Sequence, residues 1–261
     1  MHPFYRLFSL TLPSYGSLIL LGLALALAFV AVRARRRGLR PKRLALLAAY
    51  ALGFGTVGAK LLYLLTAGGQ PLLPLSAERL GAFFGSGYVY YGGLAGGLAG
   101  LWLCGRLHGV PLALYVDPLV PALPLCHAFG RVGCFLAGCC YGIPMDPPLG
   151  VAFSQSLAAP NGVPLFPVQL LEALLNAGLF FLLRAYTQRP RRPFSAVQLY
   201  LLLYASLRFF LEFLRYDAAR GLFFGLSTSQ WLSAALLLCC ALRLRLPGKG
   251  GWARHRADQG R

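Results

Sequence analysis

The chain has 261 residues, of which 57% are hydrophobic, and it carries 25 basic residues against seven acidic ones. A composition this apolar excludes an ordinary soluble globular domain and indicates a membrane protein with several transmembrane helices. The net charge of +18 does not indicate nucleic-acid binding, because the basic residues lie in short clusters between apolar segments and not along one stripe.

The apolar segments predict an all-α membrane protein with seven transmembrane helices in a single domain, residues 1–261. Arginine-rich loops stay on the cytoplasmic side, so the basic clusters place the N-terminus outside and the C-terminus in the cytoplasm. The predicted spans are residues 15–33, 44–65, 85–107, 117–138, 167–184, 195–214 and 227–242, followed by a basic cytoplasmic tail over residues 243–261.

The third and fourth spans contain residues that change how helices pack. Gly92, Gly96 and Gly100 recur every fourth residue, a spacing that lets another helix approach closely. Prolines at positions 118, 121 and 124 predict a broken helix in the fourth span. Irregular backbone at membrane depth is tolerated where protein covers it or where it lines a cavity.

Arg131 stands in an apolar run of the fourth span, close to Gly130 and Gly133. Placing an arginine in hydrocarbon costs roughly 2.5 to 3.5 kcal/mol, so such a residue normally has an anionic partner. Lipid phosphate is the most abundant anion in a membrane, and the planar guanidinium suits phosphate oxygens. We therefore predict that Arg131 binds a lipid phosphate.

The sixth span places Tyr204, Arg208, Glu212 and Arg215 along one helical stripe. Three ionisable groups are costly to expose to lipid, so the stripe is expected to face the protein interior. The ion pairs within it leave about one net positive charge, which could hold an anion. The alternative is that these residues form ion pairs that only hold helices together.

Polar residues in two other spans could join the same interior. Gln169, Glu172 and Asn176 share one face of the fifth span, either for hydrogen bonds between helices or for a role in the site. Lys60 lies deep in the second span and is expected to face the same interior or to pair with a carboxylate such as that of Glu172.

His127, Cys134, Cys139 and Cys140 are residue types that bind zinc, and a Cys-Cys dipeptide can indicate redox chemistry. The spacing C-x4-C-C lacks the C-x2-C pattern of metal knuckles, however, and cysteines are common in packed interiors. We therefore expect these cysteines to pack, and we expect no metal and no other cofactor. Metal binding and redox chemistry remain the alternatives.

The segment Gly130-Arg131-Val132-Gly133-Cys134-Phe135-Leu136-Ala137-Gly138 resembles the signature G-R-[ILV]-G-N-F-x-N-G of the prolipoprotein diacylglyceryl transferases. The resemblance extends over most of the chain. Further matching segments are Tyr15-Gly16, Gly58-Ala59-Lys60-Leu61, Tyr91-Gly92-Gly93-Leu94, Pro167-Val168-Gln169-Leu170-Leu171-Glu172, and Tyr204-Ala205-Ser206-Leu207-Arg208 with Glu212, Arg215 and Asp217.

The resemblance implies a multi-pass enzyme of the bacterial cytoplasmic (inner) membrane. It would transfer the diacylglyceryl group of phosphatidylglycerol to the lipobox cysteine of prolipoproteins and release glycerol phosphate, with prolipoprotein signal peptides as partners and no nucleic acid. The expected catalytic residues are Arg208, Tyr204, Tyr91 and His127; the lipid-binding residues are Arg131, Arg208, Tyr15, Gly130, Gly133 and Cys134; and the supporting residues are Lys60, Gln169, Glu172, Glu212 and Arg215.

The sequence departs from the family pattern at several positions that bear on catalysis. The family's histidine is Tyr91 here, its signature asparagine is Cys134 and a second asparagine is Ala137. Tyrosine has an ordinary pKa near 10 and is a poor base at neutral pH. One hypothesis is that His127, four residues before Arg131, accepts the thiol proton; the alternative is a buried histidine bonded to the backbone.

Two other functions stay open at this point. A non-catalytic or redirected lipid-binding relative would keep the arginines and lack the base. A transporter or channel would use the arginine and glutamate lining as an ion or substrate path.

Overall fold

The computed structural model describes residues 4–7, 10–66, 90–156, 158–189, 192–216 and 222–245. They are mostly helical, as predicted. Five helical segments are long and apolar enough to cross a membrane: Ser14–Arg36, Pro41–Leu65, Leu112–Ala137, Val168–Tyr186 and Ser195–Leu214. Thr228–Leu242 is a shorter apolar helix.

The described helices, in chain order, are α1 (Ser14–Arg36), α2 (Pro41–Thr66), α3 (Tyr90–His108), α4 (Leu112–Leu119), α5 (Ala122–Ala137), α6 (Val168–Tyr186), α7 (Ser195–Leu211) and α8 (Thr228–Arg245). Three antiparallel hairpins join β1 (Phe4–Leu7) to β2 (Leu10–Pro13), β3 (Val151–Ala152) to β4 (Pro164–Leu165), and β5 (Leu222–Phe223) to β6 (Leu226–Ser227). The chain divides into two compact units, residues 1–33 with 116–261, and residues 34–115.

The first unit holds α5 to α8, in which α5 packs on α6, α6 on α7 and α7 on α8. Helix α1 approaches α5 closely, since a Cβ on Gly22 would lie 2.6 Å from Cβ of Phe129. At the far end of α6, Nη2 of Arg33 donates to the carbonyl oxygen and the hydroxyl of Thr187, both at 2.8 Å. These bonds satisfy acceptors at a helix C-terminus, where backbone carbonyls lack helical partners.

The second unit is built on the pairing of α2 with α3. A Cβ added to Gly96 would collide with the carbonyl oxygen of Phe54, and one added to Gly100 would collide with that of Tyr50. The two backbones therefore touch along the glycine face, as the spacing predicts. Helix α3 is not among the five segments above, although residues 85–107 were predicted as the third span.

The broken helix predicted for the fourth span is present. Helix α4 ends at Leu119 and α5 begins at Ala122, with Pro118 inside α4 and Pro121 at the N-cap of α5. Prolines lack the N–H that would continue the helical hydrogen bonds. The helical segment starts at Leu112, earlier than the predicted residue 117.

The helical segment Ser195–Leu214 has the bounds predicted for the sixth span. Its last turn, Glu212–Leu214, is a 3-10 helix that follows the end of α7 at Leu211. The loop predicted between the fourth and fifth spans contains the β3–β4 hairpin, which packs Phe153, Ala159 and Leu165 together. The predicted start of the third span, residues 85–89, lies outside the described residues.

Candidate functional site

Glu172, on the first turns of α6, is the carboxylate around which the site is arranged, and only 2% of its surface is exposed. Its Oε1 lies 3.0 Å from Nε of Arg131 and 3.7 Å from Nε2 of His127, both on α5. Its Oε2 lies 4.0 Å from Nη1 of Arg208 on α7. Three helices therefore bring these four predicted residues to one buried point.

Glu212 supplies a second buried carboxylate beside the first. Its Oε2 lies 2.8 Å from Nη2 of Arg208 and 3.9 Å from Nη1 of Arg215, the neighbours that the sequence spacing predicts. Together with Arg131 and Glu172, the cluster contains three arginines and two glutamates. With His127 neutral, it carries one net positive charge, which can attract an anion.

The guanidinium of Arg208 has a donor available for such an anion. Its Nη2 donates to the hydroxyl of Ser229 at 3.2 Å as well as pairing with Glu212. Its buried Nη1 makes no hydrogen bond within the part of the chain that the structure describes. A buried charged donor is costly to leave unsatisfied, so this nitrogen suits a phosphate oxygen. Ser229 was missed in the sequence, where a serine at a helix start gives no distinctive signal.

His127 lies next to both the charged cluster and an aromatic pair. Nε of Arg131 donates to its Nε2 at 3.2 Å, so in this arrangement Nε2 carries a lone pair and no proton. Its ring centroid is 5.4 Å from that of Tyr204, whose ring in turn stacks on Tyr200 at 5.6 Å. The imidazole is therefore held on two sides, by Arg131 and by Tyr204.

The glycines next to Arg131 differ in their surroundings. A Cβ on Gly133 would lie 3.2 Å from the Tyr15 ring and 3.3 Å from its backbone, so Gly133 lets α1 pack against α5. Gly130 has nothing within 4 Å of such a Cβ. An open groove of about 350 Å³ lies beside this contact, lined by Tyr5, Ser14, Ser17, Leu18, Leu21 and Leu136.

The chain turns sharply after α5 and brings three cysteines together. Gly138 adopts φ +73°, which favours glycine, and its N–H donates to carbonyls of the last turn of α5. Cys140 has φ +57°, a conformation uncommon outside glycine. The side-chain amide of Gln169, itself fully buried, donates to the carbonyl of Cys139 at 2.8 Å. As a result, the sulfurs of Cys134, Cys139 and Cys140 all lie within 4.8 Å of one another.

The proximity of these groups changes the acidity of one thiol. Hydrogen bonds from the thiols of Cys134 and Cys139, followed by the positive charges of Arg215 and Arg131, lower the pKa of Cys140 below its ordinary value, against the opposite effect of burial.

The remaining predicted residues have different positions. The amide of Asn176 donates to the carbonyl of Glu172 at 2.8 Å, which is a hydrogen bond within α6. Lys60 is buried in the second unit, with Nζ 5.2 Å from the ring centroid of Tyr63. Tyr91 belongs to α3, but its side chain lies outside the described part of the chain, so its role stays a prediction.

The chain is similar to known proteins over most of its length. Residues 4–245 match the family model described as prolipoprotein diacylglyceryl transferase. The phosphatidylglycerol–prolipoprotein diacylglyceryl transferase 2 of Clostridium perfringens is 34% identical over 233 residues, which cover 89% of this chain and 90% of the relative. The corresponding transferase of Clostridium tetani is 33% identical, covering 88% of this chain and 90% of the relative. That of Chlorobaculum tepidum is also 33% identical, over 80% of this chain and 74% of the relative.

Proposed function

Because the chain belongs to the prolipoprotein diacylglyceryl transferase family, we propose that it transfers the diacylglyceryl group of phosphatidylglycerol to the lipobox cysteine of prolipoproteins. The cysteine thiolate forms a bond to the glycerol carbon that bears the phosphate. The bond from that carbon to the phosphate oxygen breaks, and glycerol phosphate leaves with the electron pair. The thiol proton passes to a base in the site.

This proposal rests on Nη1 of Arg208, a buried N–H donor in a cluster that carries one net positive charge. Its Nη1 makes no hydrogen bond to the described residues and lies 4.0 Å from Glu172, too far for a hydrogen bond. A phosphate oxygen would satisfy this nitrogen. Negative charge grows on the phosphate as glycerol phosphate leaves, so the same contact stabilises the transition state more than the bound lipid.

Arg131 would be the second phosphate ligand. In the present arrangement its Nε interacts with both His127 and Glu172, at 3.2 and 3.0 Å. The guanidinium has further N–H groups in a fixed fork, and these can reach an anion while Glu172 holds Nε. Glu172 and Glu212 would thus position the two arginines, with Arg215 beside the carboxylate of Glu212 and Asn176 bonded to the backbone of Glu172.

We assign the proton acceptor to His127. Its Nε2 accepts the N–H of Nε of Arg131, which also lies 3.0 Å from Glu172. If this N–H turned fully to Glu172 when the rest of the guanidinium bound phosphate, Nε2 would be free to accept the thiol proton. Lipid binding would in this way free Nε2 of His127 to act as the base. Tyr204 holds the face of the imidazole, while Tyr91 remains a second candidate on the family resemblance alone.

The lipid body would lie along α1 and α5. The groove beside Tyr15 is lined by three leucines, a tyrosine and two serines and opens outward, which suits an acyl chain. Gly133 contacts Tyr15, and Gly130 and Cys134 are small residues close to Arg131 in sequence, so we expect the glycerol backbone to pass along this part of α5.

The topology and location belong to the same proposal. We place the protein in the bacterial cytoplasmic membrane with seven spans, the N-terminus outside and the C-terminus in the cytoplasm, on the positive-inside rule. The basic residues after the first span, which define the cytoplasmic side, are Arg33, Arg35, Arg36, Arg37, Arg40, Lys42 and Arg43.

The test combines purified protein in nanodiscs with phosphatidylglycerol and a lipobox peptide. We expect the peptide to gain the mass of one diacylglyceryl group and glycerol phosphate to appear in equal amount. Arg208→Ala should abolish both products, while the exposed Arg184→Ala should retain them. Binding of phosphatidylglycerol without any product from the unaltered protein would contradict the transferase and support a lipid-binding relative.

A further inference from the structure

The thiols of Cys134, at the end of the Arg131 helix, and of Cys139 and Cys140, in the turn that follows, form a compact group that takes no part in the bond changes of the proposed transfer. Cys134 is buried, while Cys139 and Cys140 are half-buried, so the group can be reached from its surface. Their sulfurs lie within 4.8 Å of one another. Four further cysteines lie elsewhere in the described chain and do not join this group.

The backbone fixes these thiols without help from a disulfide, since all three cysteines are free. The N–H of Cys139 donates to the carbonyl of Cys134 at 3.0 Å, which closes the turn after the helix. The side-chain amide of Gln169 donates to the carbonyl oxygen of Cys139. Gly138 packs so closely against Ser156 that an added Cβ would collide with it. The positive φ of Cys140 is a costly conformation for a residue with a side chain. Such conformations persist where the surroundings enforce them, and they are frequent at functional sites.

We propose that Cys134, Cys139 and Cys140 together bind one thiophilic metal ion, with Cu(I) as the ion that fits best. Sulfurs bonded at about 2.3 Å to a central ion in a trigonal plane lie about 4 Å apart, so small side-chain rotations bring these thiols to binding distance. Soft thiolate ligands select Cu(I) and Zn(II) over harder cations. A structural zinc site takes four protein ligands, whereas this group offers three among the described residues, which favours copper.

The charges around the group suit this ion. Three thiolates and one Cu(I) carry two net negative charges. The positive charges of Arg131 and Arg215 both act on Cys140, and that of Arg131 also acts on Cys134. With Glu172 and Glu212 counted, the neighbouring cluster supplies one net positive charge, which offsets part of the thiolate excess. The C-x4-C-C spacing led us to expect that these cysteines only pack. The left-handed turn at Gly138 and Cys140 brings the three sulfurs together, which the spacing does not predict.

The chain supplies its own matched control, because a second Cys-Cys dipeptide stands at Cys239 and Cys240 on α8. The full chain, reduced and kept without oxygen in detergent, is titrated with Cu(I) against a chromogenic Cu(I) chelator. We expect a single copper ion per chain. The double variant Cys139→Ser, Cys140→Ser should lose affinity by more than about 100-fold, because direct ligands matter at least as much as outer-shell partners. The double variant Cys239→Ser, Cys240→Ser should bind as the unaltered chain does.

A second measurement uses only the unaltered protein and so does not depend on the folding of a variant. Bound Cu(I) should protect Cys139 and Cys140 from maleimide labelling, as read by peptide mass, and should not change the extent to which Cys239 is labelled. Absence of copper retention, equal protection of Cys239, or loss of binding in the Cys239/Cys240 variant would overturn the proposal. Retention of Zn(II) in preference to Cu(I) would overturn the choice of copper. The binding readout needs no lipid substrate, so its failure is distinct from failure of the transferase.

Discussion

Oε1 of Glu172 lies 3.0 Å from Nε of Arg131, and this pair joins the middle of α5 to the first turns of α6. Both side chains are largely buried, with 3% and 14% of their surface exposed. A buried ion pair contributes little net stability, but removal of one partner leaves an uncompensated charge. The pair therefore holds the arginine in place for an incoming anion at small cost.

The first prediction concerns this pair. Glu172→Gln removes the counter-charge with little change in shape, and we expect the lipid-free protein to lose about 3 to 5 kcal/mol of stability. Phosphatidylglycerol should restore part of that loss, since its phosphate replaces the missing anion. Thermal unfolding in detergent, with and without lipid, measures both effects.

Two controls sharpen that experiment. Asp146→Asn changes an exposed carboxylate and should leave the unfolding temperature unchanged. Diacylglycerol has the same acyl chains but no phosphate. Equal rescue by diacylglycerol would contradict the role of phosphate.

The second prediction tests whether the planar guanidinium of Arg208 is needed, or only its charge. Arg208→Lys keeps the charge but loses the planar donors that contact Glu212 and Ser229 and the open Nη1. We expect kcat to fall by about 100-fold or more, as for loss of one preorganised donor. The rate of glycerol phosphate release is the readout. Arg184→Lys, on the exposed face of α6, should keep the rate, and an unchanged rate in Arg208→Lys would show that charge alone suffices.

The third prediction separates the two candidate bases. His127→Ala should lower kcat by about 100-fold or more, as removal of a general base does, while phosphatidylglycerol still binds. Tyr91→Phe should change kcat by only a small factor. Full activity in His127→Ala together with a dead Tyr91→Phe would reverse the assignment. His108→Ala, an exposed histidine bonded to Tyr50, serves as the matched control.

The fourth prediction compares the two glycines of the Arg131 segment. Gly133→Ala would press on Tyr15 at 3.2 Å and should lower both the unfolding temperature and the apparent affinity for phosphatidylglycerol. Gly130→Ala meets open space and should raise helix stability by up to about 1 kcal/mol. A higher unfolding temperature in both variants would show that Tyr15 moves aside without cost.

Much of this architecture could be predicted from the sequence because it depends on local pattern. The prolines around residue 121 break the fourth span as expected, and the glycines of α3 meet α2 as expected. Arg208, Glu212 and Arg215 are neighbours because they are close in sequence. Local spacing fixes these contacts almost regardless of the rest of the fold.

The features that were not predicted depend on the path of the chain. The position of Glu172 between Arg131 and Arg208 needs three helices to pack in one order, which no spacing states. The closeness of Cys134 and Cys140 needs left-handed backbone at a cysteine, a conformation that propensities disfavour. The change from α-helix to a 3-10 turn after Leu211 was likewise not predicted.

The bond between Arg33 and Thr187 joins residues 154 positions apart, at the end of the first span and the end of the fifth. A nascent chain delivers α1 to the bilayer long before α6 leaves the ribosome, so this contact forms only late in biogenesis. Until then, attraction of the basic residues after α1 to anionic headgroups can help to hold its orientation. We expect a chain truncated before Thr187 to lack this contact and to be cleaved more readily by membrane proteases.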